Sequence, residues 1–326
     1  MLLASAFATC EFPRRAIAKT AVAAALLLLL IFAGLAQAQV SNFQHIILIV
    51  QENRTPDNLF QGLCIPPYGS PSACGTGLHQ YDIQSYGFDK DGNQIPLGPV
   101  PLGNPHDPNH AHLAFVAMCN PDPETYFPCS QNTRLPTENC PSGCSFQYVH
   151  PTTTPTIYPY LYIAQNFGWA NRMFQTNQGP SAPAHQFLFG GTSALSAADD
   201  ANATFVSENY TGCLTPRGNV YYIINPTIAP FENRLFNNPV GSVCADHETL
   251  ASLLESVGRT WRYYAVGDTA SDVSNTLWTA PNWIQNICQP DSTFTQCTGT
   301  DWIDNVDLKP ADVLTDVQNC KLMDMV

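Results

Sequence analysis

The chain has 326 residues, of which 44% are hydrophobic and only 12% are charged. This length allows one large or two small domains, and an aromatic content of 11% excludes an intrinsically disordered chain. The formal net charge of −13 argues against a protein that binds nucleic acid by neutralising its phosphate backbone. It does not exclude a phosphate ester, because a bound cation would dominate the field around its own site.

Residues 1–38 have the organisation of a signal peptide. Arg14, Arg15 and Lys19 form a basic region, residues 21–33 are apolar, and an Ala-Gln-Ala cleavage signal ends at Ala38. The alternative is an uncleaved membrane anchor, but the apolar run is shorter than the ~20 residues that span a bilayer. We therefore predict a secreted or periplasmic protein with one domain over residues 39–326.

The mature chain opens with an apolar run, His45–Val50, that predicts a strand buried on both faces. Polar side chains, including Glu52 and Asn53, follow the strand directly. The carboxyl ends of strands in open α/β sheets are where ligands bind, and carboxylate and amide oxygens suit a hard cation. Capping of the next turn explains Glu52 and Asn53 equally well, so the residues alone leave both roles open.

Residues 61–155 are rich in Pro, Gly, Cys, Asn and Ser, which predicts an insertion over one end of the sheet. Asp89–Gly92 indicates a hairpin turn, and His110–Met118 indicates the one helix of the insertion.

Eleven cysteines follow the signal peptide, and their close spacing in loop-like sequence predicts disulfides. The pairs favoured by proximity are Cys64/Cys74, Cys119/Cys129, Cys140/Cys144, Cys213/Cys244 and Cys288/Cys297. Half of a zinc site is the alternative for Cys140/Cys144, but no second Cys/His pair stands at suitable spacing. Cys320 is left without a partner.

Strands and helices alternate after the insertion, which predicts an α/β fold with a largely parallel sheet. Strands are predicted at Trp169–Phe174, Val220–Ile224 and Thr260–Val266. Helices are predicted at Ile157–Phe167, Ala182–Phe189, Thr249–Val257 (capped by Asp246), Trp283–Ile287 and Ala311–Asn319.

Ser181 follows Gly179-Pro180 at the start of one of these helices. A serine in this position often caps the helix. A helix start is also a good phosphate cradle, and a hydroxyl placed there beside a cation can attack phosphorus.

Histidine and paired aspartate supply the remaining candidates for chemistry. His110 and His112 are as well explained by a role in proton transfer or metal binding as by a surface position. For His106, His185 and His247, a surface or capping role is the better interpretation. Asp199-Asp200 reads better as a solvated turn than as a cation site.

Three segments together resemble a known family. FQHIILIVQENRTPDNLF, residues 43–60, resembles the opening motif of the exported bacterial phosphoesterases, which include phosphatidylcholine-type phospholipases C and acid phosphatases. Residues 171–193 resemble the segment that carries that family's nucleophile, and residues 246–265 resemble a third block.

The resemblance implies an alkaline-phosphatase-like α/β/α sandwich and a metal-dependent hydrolase of phosphate mono- or diesters. Glu52 and Asn53 would be metal ligands, and Ser181 would be both ligand and nucleophile. His110 or His112 would protonate the leaving group. One divalent cation of unspecified identity is implied, with a phosphate ester, a phospholipid being one candidate, as substrate; membrane contact would come only through that substrate. The oligomeric state cannot be read from the sequence.

One element of the resemblance is missing. The family completes its metal site with an Asp-Asp pair on a later strand, in a Thr-Trp-Asp-Asp-like motif downstream of Cys320, and this sequence has no such motif. Asp199-Asp200 stands too early, directly after the helix that begins at Ser181. We therefore expect a domain that is incomplete at its C-terminal end. The alternative function is a secreted, disulfide-stapled binding module without catalysis. A sulfatase-like activity fits less well, because Ser181-Ala-Pro-Ala-His185 has the proline of the sulfatase motif but lacks its arginine.

Overall fold

The computed structural model describes residues 43–51, 54–89, 93–103, 110–112, 134–135, 147–152, 155–177, 180–208, 212–214, 220–225, 233–236, 244–265 and 279–326. The chain divides into two compact units, Met1–Ile46 and Ile47–Val326, and the first is described only from residue 43 onward. The predicted signal peptide therefore lies outside the described residues. Within the described ranges, no helix combines the length and the apolar character needed to cross a membrane.

The helices are short. In chain order they are α1 (Pro56–Leu59), α2 (Tyr158–Asn166), α3 (Ser181–Gly190), α4 (Ala197–Ala201), α5 (Leu250–Ser256), α6 (Gln285–Cys288), α7 (Thr300–Asn305) and α8 (Asp312–Gln318). Turns of 3₁₀ helix cover Gln61–Leu63, Pro71–Ala73, Pro155–Ile157, Gly212–Leu214 and Ala280–Trp283. The predicted helices at 157–167, 182–189 and 311–319 are confirmed as α2, α3 and α8. The helix predicted at Trp283–Ile287 is split between a 3₁₀ turn and α6, and only residues 110–112 of the helix predicted at His110–Met118 are described.

Local sequence explains the ends of α3 and α5. Gly191 ends α3 in the left-handed conformation, with φ of 73°, which glycine adopts without steric cost. Thr249, and not Asp246 as predicted, caps α5: the Thr249 hydroxyl accepts from the Ser252 amide, and the Ser252 hydroxyl accepts from the Thr249 amide. Thr249 stands directly before the helix, whereas Asp246 is too far away to reach its first amides.

The described strands form small sheets. They are β1 (Tyr86–Asp89), β2 (Gln94–Pro96), β3 (Gly98–Val100), β4 (Arg134–Leu135), β5 (Gln147–Val149), β6 (Phe205–Glu208), β7 (Val220–Ile224), β8 (Asn233–Phe236), β9 (Tyr263–Tyr264) and β10 (Val306–Asp307). The sheet orders are β2-β1-β4, β3-β5, β6-β7-β8 and β10-β9. The antiparallel pair β1-β2 flanks the predicted turn at Asp89–Gly92, of which residues 90–92 lie outside the described residues. The strand β7 confirms the strand predicted at Val220–Ile224.

Parallel pairing is present among these strands. The pairs β1-β4, β3-β5 and β9-β10 are parallel, and a parallel bridge joins Trp261 to Met325. The strand predicted at Thr260–Val266 is thus realised as that bridge and β9, with Val266 outside the described residues. This mixture of helices and small sheets is compatible with an α/β fold, and the α/β/α sandwich stays a prediction.

Two predicted strands are wrong for the described residues. His45–Val50 carries no strand ladder, and its side chains are exposed instead of buried, with Ile49 85% exposed. Trp169–Phe174 is likewise irregular, and the side chains of Met173 and Phe174 are exposed. An apolar run becomes a buried strand only where a neighbouring strand pairs with it and other elements cover its faces. At Leu48 the pairing is limited to one bond: the Leu48 amide donates to the Val326 carbonyl at 2.7 Å, and no strand ladder continues from it.

The core consists of separate apolar clusters. The first cluster packs α2 against the turn at Gln61–Leu63 and includes Leu59, Leu63, Val149 and Leu161. The second cluster joins α3, α5 and α6 and includes Phe189, Ala251, Trp261, Ala280 and Ile284. The second cluster fixes the helix that begins at Ser181.

Three of the predicted disulfides are confirmed: Cys64–Cys74, Cys213–Cys244 and Cys288–Cys297. Cys213, Cys288 and Cys297 are buried together in one apolar cluster. Cys320 is an exposed free cysteine, as predicted. The pairs Cys119/Cys129 and Cys140/Cys144 lie outside the described residues.

Candidate functional site

The first turn of α3 presents Ser181 at an unusual helix start. The N-cap is Pro180, with φ of −69° and ψ of 175°, and no side chain caps the helix. Ser181 is therefore the first helical residue, so the predicted alternative of a capping serine does not describe its position. Its side chain is half-buried.

Two prolines remove amide donors from this helix end. The first four N–H groups of a helix have no partner within the helix. Here Pro180 and Pro183 hold two of those four positions and carry no N–H, and the next amide, that of Ala184, donates to the Pro180 carbonyl at 3.3 Å. Ser181 and Ala182 therefore carry the two N–H groups of this helix end that have no acceptor within the helix. Ala182 is 1% exposed, so the Ser181 amide is the one nearer to solvent.

His185 lies one turn after Ser181, on the same face of α3. The sequence favoured a surface or capping role, and this is wrong: the side chain is 7% exposed. Its burial comes from non-local segments that pack beside α3, and a single helical turn of sequence does not reveal these.

An apolar cavity of about 590 Å³ lies beside α3. Its lining residues are Ile47–Val50, His185, Leu188, Phe189, Leu250, Ala251, Leu254, Trp261–Ala265, Pro310, Val313, Met325 and Val326. Val50 stands two residues before Glu52, and His185 stands four residues after Ser181. The two segments that the sequence singled out for chemistry therefore border one cavity.

Glu52 and Asn53 themselves lie outside the described residues, and their neighbours are well anchored. Gln51 accepts a hydrogen bond from the Tyr160 hydroxyl at 2.7 Å, which ties it to α2. Arg54 donates to Asn58 at 3.2 Å and to the Leu102 carbonyl. Each neighbour of the Glu52-Asn53 pair thus has a hydrogen bond to a segment remote in sequence, Gln51 with Tyr160 and Arg54 with the Leu102 carbonyl.

Asp57, in the first turn of α1, is a titratable group that the sequence did not single out. Burial raises the pKa of its carboxyl, and the like charge of Asp82 adds to this, whereas the hydrogen bond that it accepts from the Gln84 amide at 2.7 Å opposes it. In the sequence, Asp57 is visible only as a polar residue four positions after Asn53. Its burial beside Gln84 depends on tertiary packing, which the sequence does not show.

A hydrogen-bonded ion pair at the rim of the cavity was also missed. Asp316 of α8 accepts from Arg262 at 2.9 Å and from the Tyr264 hydroxyl at 2.5 Å. The hydrogen bond from Tyr264 lowers the pKa of Asp316, and burial together with that bond raises the pKa of Tyr264 to about 12. This trio joins β9 to α8, and its partners are 52 and 54 residues apart in the chain, too far for a sequence pattern to show.

The remaining predicted residues are only partly placed. His112 is buried and His110 is half-buried, and the rest of the predicted helix His110–Met118 lies outside the described residues, as does His106. His247 is half-buried, with Nδ1 3.0 Å from the Glu248 carbonyl. Asp199 and Asp200 lie in the first turn of α4, where Ser196 is the N-cap and its hydroxyl donates to Asp199 at 2.6 Å. Their geometry is that of a capped helix start.

No group of three or more His, Cys, Asp or Glu side chains that could hold a metal ion is found within the described ranges, which do not include Glu52. The described part of the candidate site is therefore Ser181 at the start of α3. The cavity meets the same helix at His185, one turn further on.

Comparison with known proteins defines the family. A family model described as "Phosphoesterase family" matches residues 43–322. This match covers most of the sequence, and the chain belongs to the Phosphoesterase family, in agreement with the resemblance to phosphatidylcholine-type phospholipases C and acid phosphatases. Family membership implies a hydrolase that acts on phosphoric esters. A search of curated proteins finds no match.

Proposed function

We propose that this chain is an exported, metal-dependent phosphoesterase in which Ser181 is the nucleophile. The observation that carries the proposal is the position of Ser181 within the matched family region, at the first residue of α3, a helix start that no side chain caps. Its substrates are phosphate mono- or diesters, of the kind hydrolysed by acid phosphatases or phospholipases C. The fold proposed for the domain is an alkaline-phosphatase-like α/β/α sandwich.

The proposed reaction has two displacements at phosphorus. In the first, the Ser181 hydroxyl gives its proton to solvent, Oγ forms a bond to phosphorus, the bond from phosphorus to the leaving oxygen breaks, and His110 or His112 gives that oxygen a proton. In the second, water gives a proton to that histidine and attacks the phosphoserine, and the bond from phosphorus to Oγ breaks. Oγ takes a proton from solvent, and the product is phosphate from a monoester or a phosphomonoester from a diester. In this proposal the Ser181 amide, at the start of α3, donates to a phosphoryl oxygen.

The oxygen-rich donor set of this site suits a hard divalent cation. Glu52, Asn53 and the Ser181 hydroxyl would hold it, and support for this grouping comes from the shared cavity that Val50 and His185 border. When bound, such a cation lowers the pKa of the nucleophile and neutralises charge on the phosphoryl group.

A hydrolysis assay tests this function. We expect the purified chain to release 4-nitrophenol from 4-nitrophenyl phosphate or its choline diester, and to lose that activity on incubation with a chelator. Ser181→Ala should abolish turnover. Ser256→Ala is the matched control, because Ser256 is an exposed helical serine whose hydroxyl donates only to the Leu253 carbonyl of its own helix, at 2.7 Å.

Two outcomes would contradict the proposal. Full activity of Ser181→Ala would remove the serine nucleophile. A wild-type chain that binds no metal and releases no phosphate from any ester would be the secreted binding module instead.

A further inference from the structure

Gln186 connects the candidate nucleophile helix to a distant, buried turn. Its side chain lies in the second turn of α3 and is 0% exposed. Its amide Nε2 donates to the Ala280 carbonyl at 2.9 Å, across 94 residues of chain. We propose that Gln186 is a positioning residue that sets where Ser181 lies; this inference rests on the proposed function of Ser181.

The other contacts of α3 are mainly apolar. Ala182 packs in a cluster with Val206 and Trp283, and the Phe189 ring lies 6.0 Å from that of Trp261 and 5.8 Å from that of Tyr263. Apolar contacts hold a helix down but resist sliding and rotation weakly, because the hydrophobic effect is non-directional. A hydrogen bond has a preferred distance and angle, so the bond from Gln186 adds a directional restraint on the rotation and the axial position of α3.

The carbonyl that receives this bond belongs to a well-fixed segment. Ala280 opens the turn Ala280–Trp283, which is buried throughout. The Trp283 carbonyl accepts from the Ala245 amide at 2.6 Å, and the Ala245 carbonyl accepts from the Gln285 amide at 2.9 Å. Gln186 therefore ties α3 to a rigid support, about 7.5 Å along the helix axis from Ser181 at 1.5 Å per residue.

The Gln186 side chain also has a polar atom without a partner, and this allows its positioning role to be separated from its effect on stability. Gln186 Oε1 is buried and finds no hydrogen-bond partner within the described ranges. The cost of an unpartnered buried carbonyl oxygen is of the same order as the benefit of the hydrogen bond made by Nε2. Replacement by an apolar side chain of similar length should therefore change stability little while it removes the directional tie.

The test is a comparison of Gln186→Met with Gln165→Met in the full chain, assayed with 4-nitrophenyl phosphate. Gln165 is the matched control, because it also donates from Nε2 to a distant backbone carbonyl, that of Tyr68 at 2.7 Å, but from α2. We expect Gln186→Met to lower kcat by about ten- to a hundredfold, since a small displacement of a reacting group has an effect of this size. The KM of Gln186→Met should stay within about twofold of wild type, and its melting temperature should stay within a few degrees. Gln165→Met should match wild type in kcat.

Several outcomes overturn the inference. An unchanged kcat in Gln186→Met shows that the tie does not position Ser181, and a fall in kcat that is accompanied by an equal fall in Gln165→Met shows a general effect. If Gln186→Met does not fold, Gln186→Leu is measured by the same criteria. Failure of the proposed function itself looks different: Ser181→Ala stays active, or the wild-type chain hydrolyses no ester, and the inference then loses its basis.

Discussion

The packing of α2 on the turn at Gln61–Leu63 can be tested by exchanging volume between two facing residues. A Cβ atom added at Gly62 would lie 2.5 Å from Cδ1 of Leu161 and 3.3 Å from its Cδ2. Carbon atoms in contact are normally about 3.5–4.0 Å apart. Leu161 is 0% exposed and belongs to the first core cluster, so its side chain has little room to move away.

The expected energies follow from this geometry. Gly62→Ala should lower the free energy of unfolding by about 1–3 kcal/mol, because it overpacks the cluster. Leu161→Ala should lower it by about 2–5 kcal/mol, because it leaves a cavity. In the double variant the new methyl group occupies part of that cavity and no longer meets a leucine, so the double variant should lose about 1–2 kcal/mol less than the sum of the single variants.

Urea unfolding of the wild type, the two single variants and the double variant measures these energies. Gly168→Ala is the control, since a Cβ there meets nothing within 4 Å, and its free energy of unfolding should be unchanged or about 0.4–1 kcal/mol higher. Losses in Gly62→Ala and Leu161→Ala that add within about 0.5 kcal/mol would refute the contact between the two residues.

Two further predictions concern titratable side chains. Burial raises the pKa of Asp57, so the folded state binds the carboxyl proton more tightly than the unfolded state does. The contribution of Asp57 to the free energy of unfolding therefore rises as the pH falls through that raised pKa towards 3.8. Asp57→Asn, which keeps an acceptor for the Gln84 amide, should therefore raise the melting temperature at neutral pH and remove this part of its pH dependence; a lower melting temperature at pH 7 would contradict it. Tyr264→Phe should lower the free energy of unfolding at neutral pH, because it removes the hydrogen bond that the Tyr264 hydroxyl donates to Asp316. Because the bond from Tyr264 lowers the pKa of Asp316, this cost should disappear in acid below 3.8 as the carboxylate is protonated, and a cost that stays constant with pH would count against the bond.

Local signals in the sequence were enough to predict several elements. Gly179-Pro180 and Gly190-Gly191 mark the two ends of α3, and the structure ends that helix at Gly191 as expected. Cys64–Cys74 and Cys288–Cys297 were predicted from short separations, which are visible along the chain.

Tertiary effects account for the errors. The run at His45–Val50 has strand composition, but burial of a strand depends on neighbours that are remote in sequence, and Ile49 is 85% exposed. His185 shows the reverse case, since segments far away in the chain bury it. The tie from Gln186 to Ala280 joins residues 94 positions apart, and no periodicity in the sequence could indicate it.

The central claim, that Ser181 attacks phosphorus, is tested most directly by trapping the intermediate. The chain is mixed with 4-nitrophenyl phosphate, quenched in acid within the first turnover, digested and examined by mass spectrometry. We expect phosphate on Ser181, absent from Ser181→Ala and present in Ser256→Ala. Phosphate on another residue, or turnover without phosphate on Ser181 at any quench time, would contradict the account.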